Sequence, residues 1–202
     1  LAQYVVPDVM AARATELIIS DRKLDEVVVG ATHTKGTWQA SIDSKQIGGY
    51  LTWNDAAGQN LGKVTARLSS LVIPKSAQDE VKDLLEGEKG GSASIPALDV
   101  VAEHFVLFDK ELGKLELLAS NSQVAVGKEW KINKLALSNP DGDLDATGRW
   151  VSKDGNSITA LSFKLGVHDA GKLLDRLGFP ETLRRGKGTM EGEASWQGLP
   201  YW

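Results

Sequence analysis

The sequence contains no cysteine, and this absence removes two ways of stabilising a fold. Neither disulfide bonds nor cysteine-ligated zinc can hold the chain together. The absence fits a periplasmic protein as well as a cytosolic one, so cysteine content leaves the compartment open.

An excess of charge of one sign is also missing. The 23 basic and 27 acidic residues are scattered along the chain and give a net charge of -4. Proteins that bind a nucleic-acid backbone concentrate lysine and arginine on one surface. We therefore expect no nucleic-acid partner.

No apolar run approaches the roughly 18 residues that a membrane helix needs. The longer runs are VVV at 27–29 and LSSLVI at 68–73. The chain opens at Leu1 with LAQYVVPDVM, which lacks the charged start and apolar stretch of a signal peptide. We expect residues 1–202 to form a single segment of a larger protein, with any membrane anchor outside it.

What the sequence does contain is alternation of apolar and polar residues with a period of two, which is typical of half-buried strands. Turn signals such as KGT, NDAAGQN, NPDGD and KDGN separate the alternating stretches. The sequence therefore predicts a mainly β fold, an antiparallel meander of about a dozen strands with one apolar face. Strands are predicted near residues 14–20, 24–33, 37–43, 46–53, 64–69, 98–108, 112–120, 122–127, 130–138, 143–150, 157–167 and 190–196.

Two short helices are predicted between strands. The first begins at Ser76, in a capping-box-like start after Pro74, and ends at Gly87. The second is capped by Asp169 and ends at Gly178, with Leu173, Leu174 and Leu177 on one face. The Gly/Ser-rich stretch at about 86–95 predicts a flexible loop.

A weak repeat links three strands that end in tryptophan: IGGYLTW, LDATGRW and MEGEASW, ending at Trp53, Trp150 and Trp196. Glycine or alanine beside a terminal ring would leave room between facing walls while the ring closes one end. Ordinary strand ends in a β-sandwich core would give the same pattern.

Catalytic and metal-binding motifs are missing. His33, His104 and His168 stand far apart, and no GxSxG surrounds a serine. Asp141, Asp143 and Asp145 resemble the start of a calcium loop, but the glycine and glutamate that it requires are absent. They are better interpreted as a hairpin turn followed by the polar face of a strand. We expect neither enzymatic activity nor a cofactor or metal.

A local basic cluster, Arg184, Arg185 and Lys187, lies in RRGKGT, which does not match a phosphate-binding loop. Two interpretations remain open: a solvated loop, or a contact with anionic lipid headgroups.

The apolar face needs a cover, because monomers rarely expose large continuous apolar patches. Two short helices offer little cover. Either the sheet folds on itself as a sandwich, or it curls into a groove that holds apolar molecules.

Three stretches resemble the C-terminal part of the YhdP proteins, members of the AsmA-like superfamily that includes TamB. They are ALDVVAEHFVLFDKELGKLELLAS, WKINKLALSNPDGDLDATGRW and SFKLGVHDAGKLLDRLGFPETLRRGKGTMEGEASWQG. WQASIDSKQIGGYLTW is also similar to strand pairs of that family.

The resemblance implies a U-shaped, taco-like β groove that carries phospholipids between the inner and outer membranes. It implies the periplasmic part of a protein anchored in the inner membrane of a Gram-negative bacterium. Phospholipid acyl chains would be the ligand, membranes would be reached through parts outside this segment, and envelope proteins are further candidate partners. The alternative is a closed β-sandwich that acts as a scaffold or docking domain.

The residues predicted to line the groove share the apolar parity of their strands. They are Val64, Ala66, Leu68, Leu115, Leu117, Leu135, Leu137, Leu144, Ala146, Trp150, Leu161, Phe163, Leu165, Met190, Ala194 and Trp196.

Overall fold

In the part of the chain that the structure describes, the alternation corresponds to eleven β-strands, and one short α-helix interrupts their succession. The computed structural model describes residues 9–19, 22–54, 62–77, 95–124, 127–153 and 156–198. The strands are β1 (Val9–Ile19), β2 (Arg22–Thr34), β3 (Thr37–Asp43), β4 (Ile47–Asn54), β5 (Lys63–Ile73), β6 (Ala97–Leu107), β7 (Lys110–Val124), β8 (Gly127–Asn139), β9 (Gly142–Lys153), β10 (Asn156–Val167) and β11 (Gly188–Gln197).

All eleven strands belong to one sheet, in which every strand pairs with its neighbours in the sequence. The sheet is not closed into a barrel, because β1 and β11 stand at its two edges. The prediction of a mainly β fold built on an open, mostly antiparallel sheet is confirmed.

One step departs from the predicted meander. β5 and β6 pair in parallel, with Lys63 opposite Ala97 and Ile73 opposite Leu107. A parallel neighbour requires a connection that returns the chain to the starting end of the strand. Residues 74–96 make this return, and only 74–77, 95 and 96 of them are described.

A second correction concerns strand number. The stretches 112–120 and 122–127 are predicted as two strands, but 112–120 and 122–124 belong to one long strand, β7 (Lys110–Val124). Residues 125–126 are not described, and Gly127 begins β8. The polar residues around Asn121 looked like a break in the sequence. They instead continue the ladder with β8, where Asn121 lies opposite Trp130.

The predicted helix after Asp169 is confirmed as α1 (Ala170–Arg176). The Asp169 side chain accepts a hydrogen bond from the backbone N–H of Lys172, which is the bond expected of an N-cap. In the region of the other predicted helix, Lys75–Ala77 forms a 3-10 helix. The rest of that prediction, and nearly all of the predicted loop at 86–95, lie outside the described residues.

β-Bulges shift the ladder at several places without disturbing the faces. Between β4 and β5 the shift falls at Gly48 and Gly49. Gly49 has φ +135°, and a Cβ there would lie 2.4 Å from the carbonyl oxygen of Arg67. Only glycine fits this position, because the backbone conformation and the close approach both exclude a side chain.

The two faces of the sheet differ in burial. Every buried apolar side chain that the structure describes projects from the same face, which we call the apolar face. One cluster of buried side chains lies over β5, β6 and β7 and is formed by Ala66, Leu68, Ala102, Phe105 and Leu115. A single flat layer would expose both faces alike, so one-sided burial is what a curled sheet produces.

Candidate functional site

The apolar face is built from rows of residues that lie directly opposite one another on successive strands. One row, which we call the central row, crosses all eleven strands, and each of its members is apolar or glycine. The central row is Met10, Ala31, Ala40, Leu51, Ala66, Val100, Leu117, Leu135, Ala146, Phe163 and Gly192.

A second row, the leucine row, runs beside it and is also free of polar residues. The row continues across the parallel step and the bulges, because in each bulged strand the apolar residues shift with the extra residue and so stay on the same face. The leucine row is Ala12, Val29, Ile42, Gly49, Leu68, Ala102, Leu115, Leu137, Leu144, Leu165 and Met190.

All the predicted lining residues lie on this face. Most belong to the central and leucine rows; Val64, Leu161 and Ala194 lie in the next row along the strands. Their contact with lipid stays a prediction. Buried members of the rows run from Ala31 in β2 to Ala146 in β9, and exposed residues stand at the edges: Met10 of the central row in β1 and Met190 of the leucine row in β11.

Tryptophans occupy one end of the strands, which we call the tryptophan rim. Trp38, Trp53, Trp130, Trp150 and Trp196 all project from the apolar face there. His33, Trp38 and Trp53 stack across β2, β3 and β4, with ring centroids 4.6 and 5.4 Å apart. The three strands that end in tryptophan in the sequence therefore all end at this rim. Trp202 lies outside the described residues.

The small residues beside these tryptophans do not leave open space, which corrects the expectation drawn from the repeat. A Cβ at Gly192 would lie 3.2 Å from the ring of Phe163, and one at Gly148 would lie 3.2 Å from Leu161. The gap over each glycine is filled by a large neighbour from the adjacent strand. Glycine thus lets the apolar face pack laterally.

The opposite ends of the strands are covered in part by α1. Arg176 donates to one carboxylate oxygen of Asp141 from Nε and Nη2, at 3.0 and 2.7 Å, and Nη1 donates to the carbonyl of Glu111 at 3.1 Å. Lys110 Nζ donates to the carbonyl of Leu177. We call Lys110, Asp141 and Arg176 the helix latch. It ties α1 to the ends of β7 and β8, and no pattern in the sequence indicates it.

Asp141 also confirms part of the interpretation of its segment. It stands in the turn between β8 and β9, while Asp143 and Asp145 lie on the polar face of β9. Asp141 itself is only 7% exposed, and its carbonyl accepts from the backbone N–H groups of His168 and Asp169. The turn therefore anchors the start of α1.

The polar face carries pairs of opposite charge between strands. Arg67 Nη1 lies 2.9 Å from an oxygen of Asp99 across the parallel pair, and Lys134 pairs with Glu116 across β7 and β8. The hydrogen bond from Arg67 lowers the pKa of Asp99, and that from Lys134 lowers the pKa of Glu116. Each of these exposed pairs contributes little stability, but together they make this face of the sheet polar.

One hollow of about 630 Å³ lies mainly on the polar side of β8–β11, and its lining includes Lys131, Arg149 and Glu193. Charges of both signs line it, so it does not resemble a lipid site. The apolar face belongs to a sheet that is not closed, with β1 and β11 at its edges. Its candidate role therefore rests on the face itself.

No acid–base–nucleophile arrangement emerges among the described residues. His168 Nε2 lies 3.0 Å from Asp143 Oδ2, with both side chains about half exposed, at the end of β10. The part of the chain that the structure describes contains no group of three or more potential ligands able to hold a metal ion. Nor is any described helix long and apolar enough to cross a membrane.

Comparison with known proteins gives one match. A family model described as YhdP protein matches residues 1–202. The chain belongs to the YhdP family. No curated protein and no solved structure matches it. The resemblance drawn from the sequence is thus confirmed, and YhdP membership suggests an AsmA-like role in lipid transport.

The predicted headgroup contacts of this YhdP family member are Arg184, Arg185 and Lys187. All three lie in the connection between α1 and β11 and are exposed. They are not on the apolar face. The structure thus separates the basic cluster from the lining residues.

Proposed function

We propose that the chain is a non-enzymatic segment of a bridge that moves phospholipids between the inner and outer membranes. In this proposal it is the periplasmic part of a protein anchored in the inner membrane of a Gram-negative bacterium. The acyl chains lie on the apolar face, and the headgroups stay in water at its open side.

The observation that carries the proposal is the central row. Eleven strands at about 4.8 Å spacing give an apolar path of roughly 48 Å that no polar side chain interrupts. A ligand-binding site for one small molecule needs no such length. A path for chains that must travel across the strands does.

The chemistry of the rows suits movement better than tight binding. Each methylene group buried gains roughly 0.8 kcal/mol. Because leucine, alanine, valine and glycine recur from strand to strand, neighbouring positions bind an acyl chain about equally well. A lipid therefore finds no deep trap along the path, and no polar anchor holds it at one strand.

The open ends of the rows support a segment rather than a closed container. Met10 and Met190 are 44% and 53% exposed at the two edge strands. A path of roughly 48 Å ends there on both sides. Further strands of the same kind on either edge would extend the apolar face without a break.

The alternative of a closed β-sandwich is not supported. The described strands form one sheet, and no second sheet within the described ranges faces it. A docking role for an envelope protein remains an outcome that the following experiment would detect.

Crosslinking at matched positions tests where the lipid lies. Because the chain has no cysteine, single cysteines at Leu137 and Phe163 can carry a photo-crosslinker, with Ser138 and Ser162 as adjacent controls on the polar face. We expect phospholipid adducts, detected by mass spectrometry, from Leu137 and Phe163 only. Equal labelling of both faces, or adducts with protein alone, would contradict the proposal.

A charged side chain on the apolar face should block the movement of phospholipid along it. We expect Leu137→Asp to lower retained phospholipid by roughly tenfold or more, because a carboxylate among acyl chains loses hydration. Ser138→Asp is the matched control on the same strand and the opposite face. Circular dichroism of both variants shows whether the sheet is intact, so a folding defect is distinguished from a blocked path.

A further inference from the structure

The connection between α1 and β11, residues 179–187, is exposed throughout and combines apolar with basic side chains. Phe179 is 60% exposed and Leu183 is 50% exposed. Arg184, Arg185 and Lys187 follow, against one carboxylate, Glu181. Within the part of the chain that the structure describes, none of the three cations forms an ion pair. We call residues 179–187 the basic loop.

The backbone of the basic loop is held in place rather than merely solvated. Ala170 N–H donates to the carbonyl of Gly186 at 2.8 Å, and Glu181 N–H donates to Asp175 Oδ1 at 3.2 Å. Thr182 Oγ1 donates to the carbonyl of Phe179 at 2.9 Å. The first two bonds attach both halves of the loop to α1, and the third closes a turn within the loop.

Gly171 shows how closely the loop and helix approach. A Cβ at Gly171 would lie only 2.5 Å from the carbonyl oxygen of Leu183, so a side chain there would push the loop away. Glu181 and Arg185 both have positive φ, at 58° and 62°. A loop that is fixed in a costly conformation, yet displays two large apolar groups to solvent, is poorly explained as a simple connection.

Exposed aromatic and aliphatic side chains next to cations match the interface of an anionic membrane. Apolar groups enter the boundary between headgroups and acyl chains, while lysine and arginine bind lipid phosphates. A soluble polyanion would satisfy the cations and leave Phe179 and Leu183 in water. The combination therefore favours a bilayer surface.

We propose that the basic loop docks on the surface of an anionic phospholipid bilayer, with Phe179 and Leu183 entering the interface. This contact is separate from lipid on the apolar face, because the loop lies off that face. It gives the chain itself a membrane contact, in addition to the contacts that the family resemblance assigns to parts outside this segment.

Sedimentation of the 202-residue chain with vesicles tests the proposal. We expect binding to vesicles of phosphatidylcholine mixed with phosphatidylglycerol, weak binding to phosphatidylcholine alone, and a loss of binding at high salt. Neutralising Arg184→Gln and Lys187→Gln together should weaken binding roughly 30-fold, which corresponds to about 1 kcal/mol per charge. Lys35→Gln with Lys75→Gln removes the same charge from exposed sites elsewhere and should change binding little.

The apolar half of the loop needs its own readout. A single cysteine at position 183 (Leu183→Cys) can carry an environment-sensitive dye, since the chain has no other cysteine. Anionic vesicles should shift its emission to the blue, whereas a dye at Leu118→Cys, exposed on the polar face, should not respond. Phe179→Ser with Leu183→Ser should weaken vesicle binding, whereas Tyr50→Ser with Leu118→Ser should not.

Three results would overturn the proposal: equal binding to neutral and anionic vesicles, equal losses in the control pairs, or binding to soluble heparin with no dye shift on vesicles. None of these readouts depends on lipid at Leu137 or Phe163. Failure of the docking loop and failure of the lipid path are therefore distinguishable.

Discussion

Two tryptophans that lie opposite each other on the tryptophan rim have different hydrogen-bonding environments. Trp130 Nε1 donates to the carbonyl of Pro96 at 3.1 Å and so ties the start of β6 to β8. Trp150 is only 2% exposed, and its Nε1 has no acceptor among the described residues. One indole N–H thus stabilises the fold, while the other is buried at a cost.

This difference gives a prediction at the scale of single residues. Both Trp130→Phe and Trp150→Phe lose ring contacts, but only Trp130→Phe leaves a carbonyl without its donor. We expect Trp130→Phe to lower the free energy of unfolding by about 1 kcal/mol more than Trp150→Phe, as measured by urea denaturation. An equal or larger loss for Trp150→Phe would indicate an acceptor for its indole N–H in solution.

The sequence predicts much at this scale. Period-two alternation places all the predicted lining residues on one face, because successive side chains of a strand point to opposite sides whatever their neighbours are. It could not indicate that Phe163 covers Gly192 or that His33 stacks on Trp38. Those contacts depend on which residue lies opposite, and register is set by distant parts of the chain.

Among the elements, α1 shows how a short helix is stabilised from outside. A seven-residue helix is marginal alone. Its cap, Asp169, is local, but the helix latch brings in Lys110 from β7 and Asp141 from the turn between β8 and β9. The position of α1 over the strand ends therefore depends on contacts that the helix sequence does not contain.

Removing the latch should loosen α1 before the sheet. In Arg176→Met, the nearly buried Asp141 carboxylate loses its charged partner. We expect the amides of 170–177 to lose about 2 kcal/mol of protection, or roughly thirty-fold, in hydrogen exchange. The amides of β3 and β4 should keep their protection.

Lys172→Met is the matched control for this change. Lys172 lies on the same helix, is largely exposed, and only approaches Asp169 at 4.0 Å. If Lys172→Met lowers the hydrogen-exchange protection of α1 as much as Arg176→Met does, the helix latch does not hold the helix in place.

For the whole molecule, the free energy of unfolding should decrease at acid pH, because several carboxylates have lowered pKa values in the folded state. The pKa of Asp25 is lowered mainly by a hydrogen bond from Gln46, that of Asp99 by Arg67 and that of Glu116 by Lys134. A carboxyl with a lower pKa in the folded state binds fewer protons than in the unfolded state. Stability from these groups is therefore present above the unfolded pKa values, near 4, and is lost as pH falls through the folded values.

Thermal unfolding followed from pH 7 downward checks this prediction. We expect the melting temperature to hold above about pH 5 and to fall below about pH 4. Arg67→Gln should flatten part of the fall, because Asp99 then loses its main partner. A profile unchanged by Arg67→Gln would show that Asp99 takes no part.

Local patterns in the chain are enough to predict the strand content, the parity of the apolar face, the cap at Asp169 and the hairpin at Asp141. Each depends on local geometry: the period of a strand, a cap three residues from its donor, or a tight turn. Four features become visible only in the folded molecule: the parallel step between β5 and β6, the unbroken rows, the helix latch and the fixed backbone of the basic loop. These depend on contacts between residues far apart in the chain, whose partners are set by the pairing of the sheet as a whole.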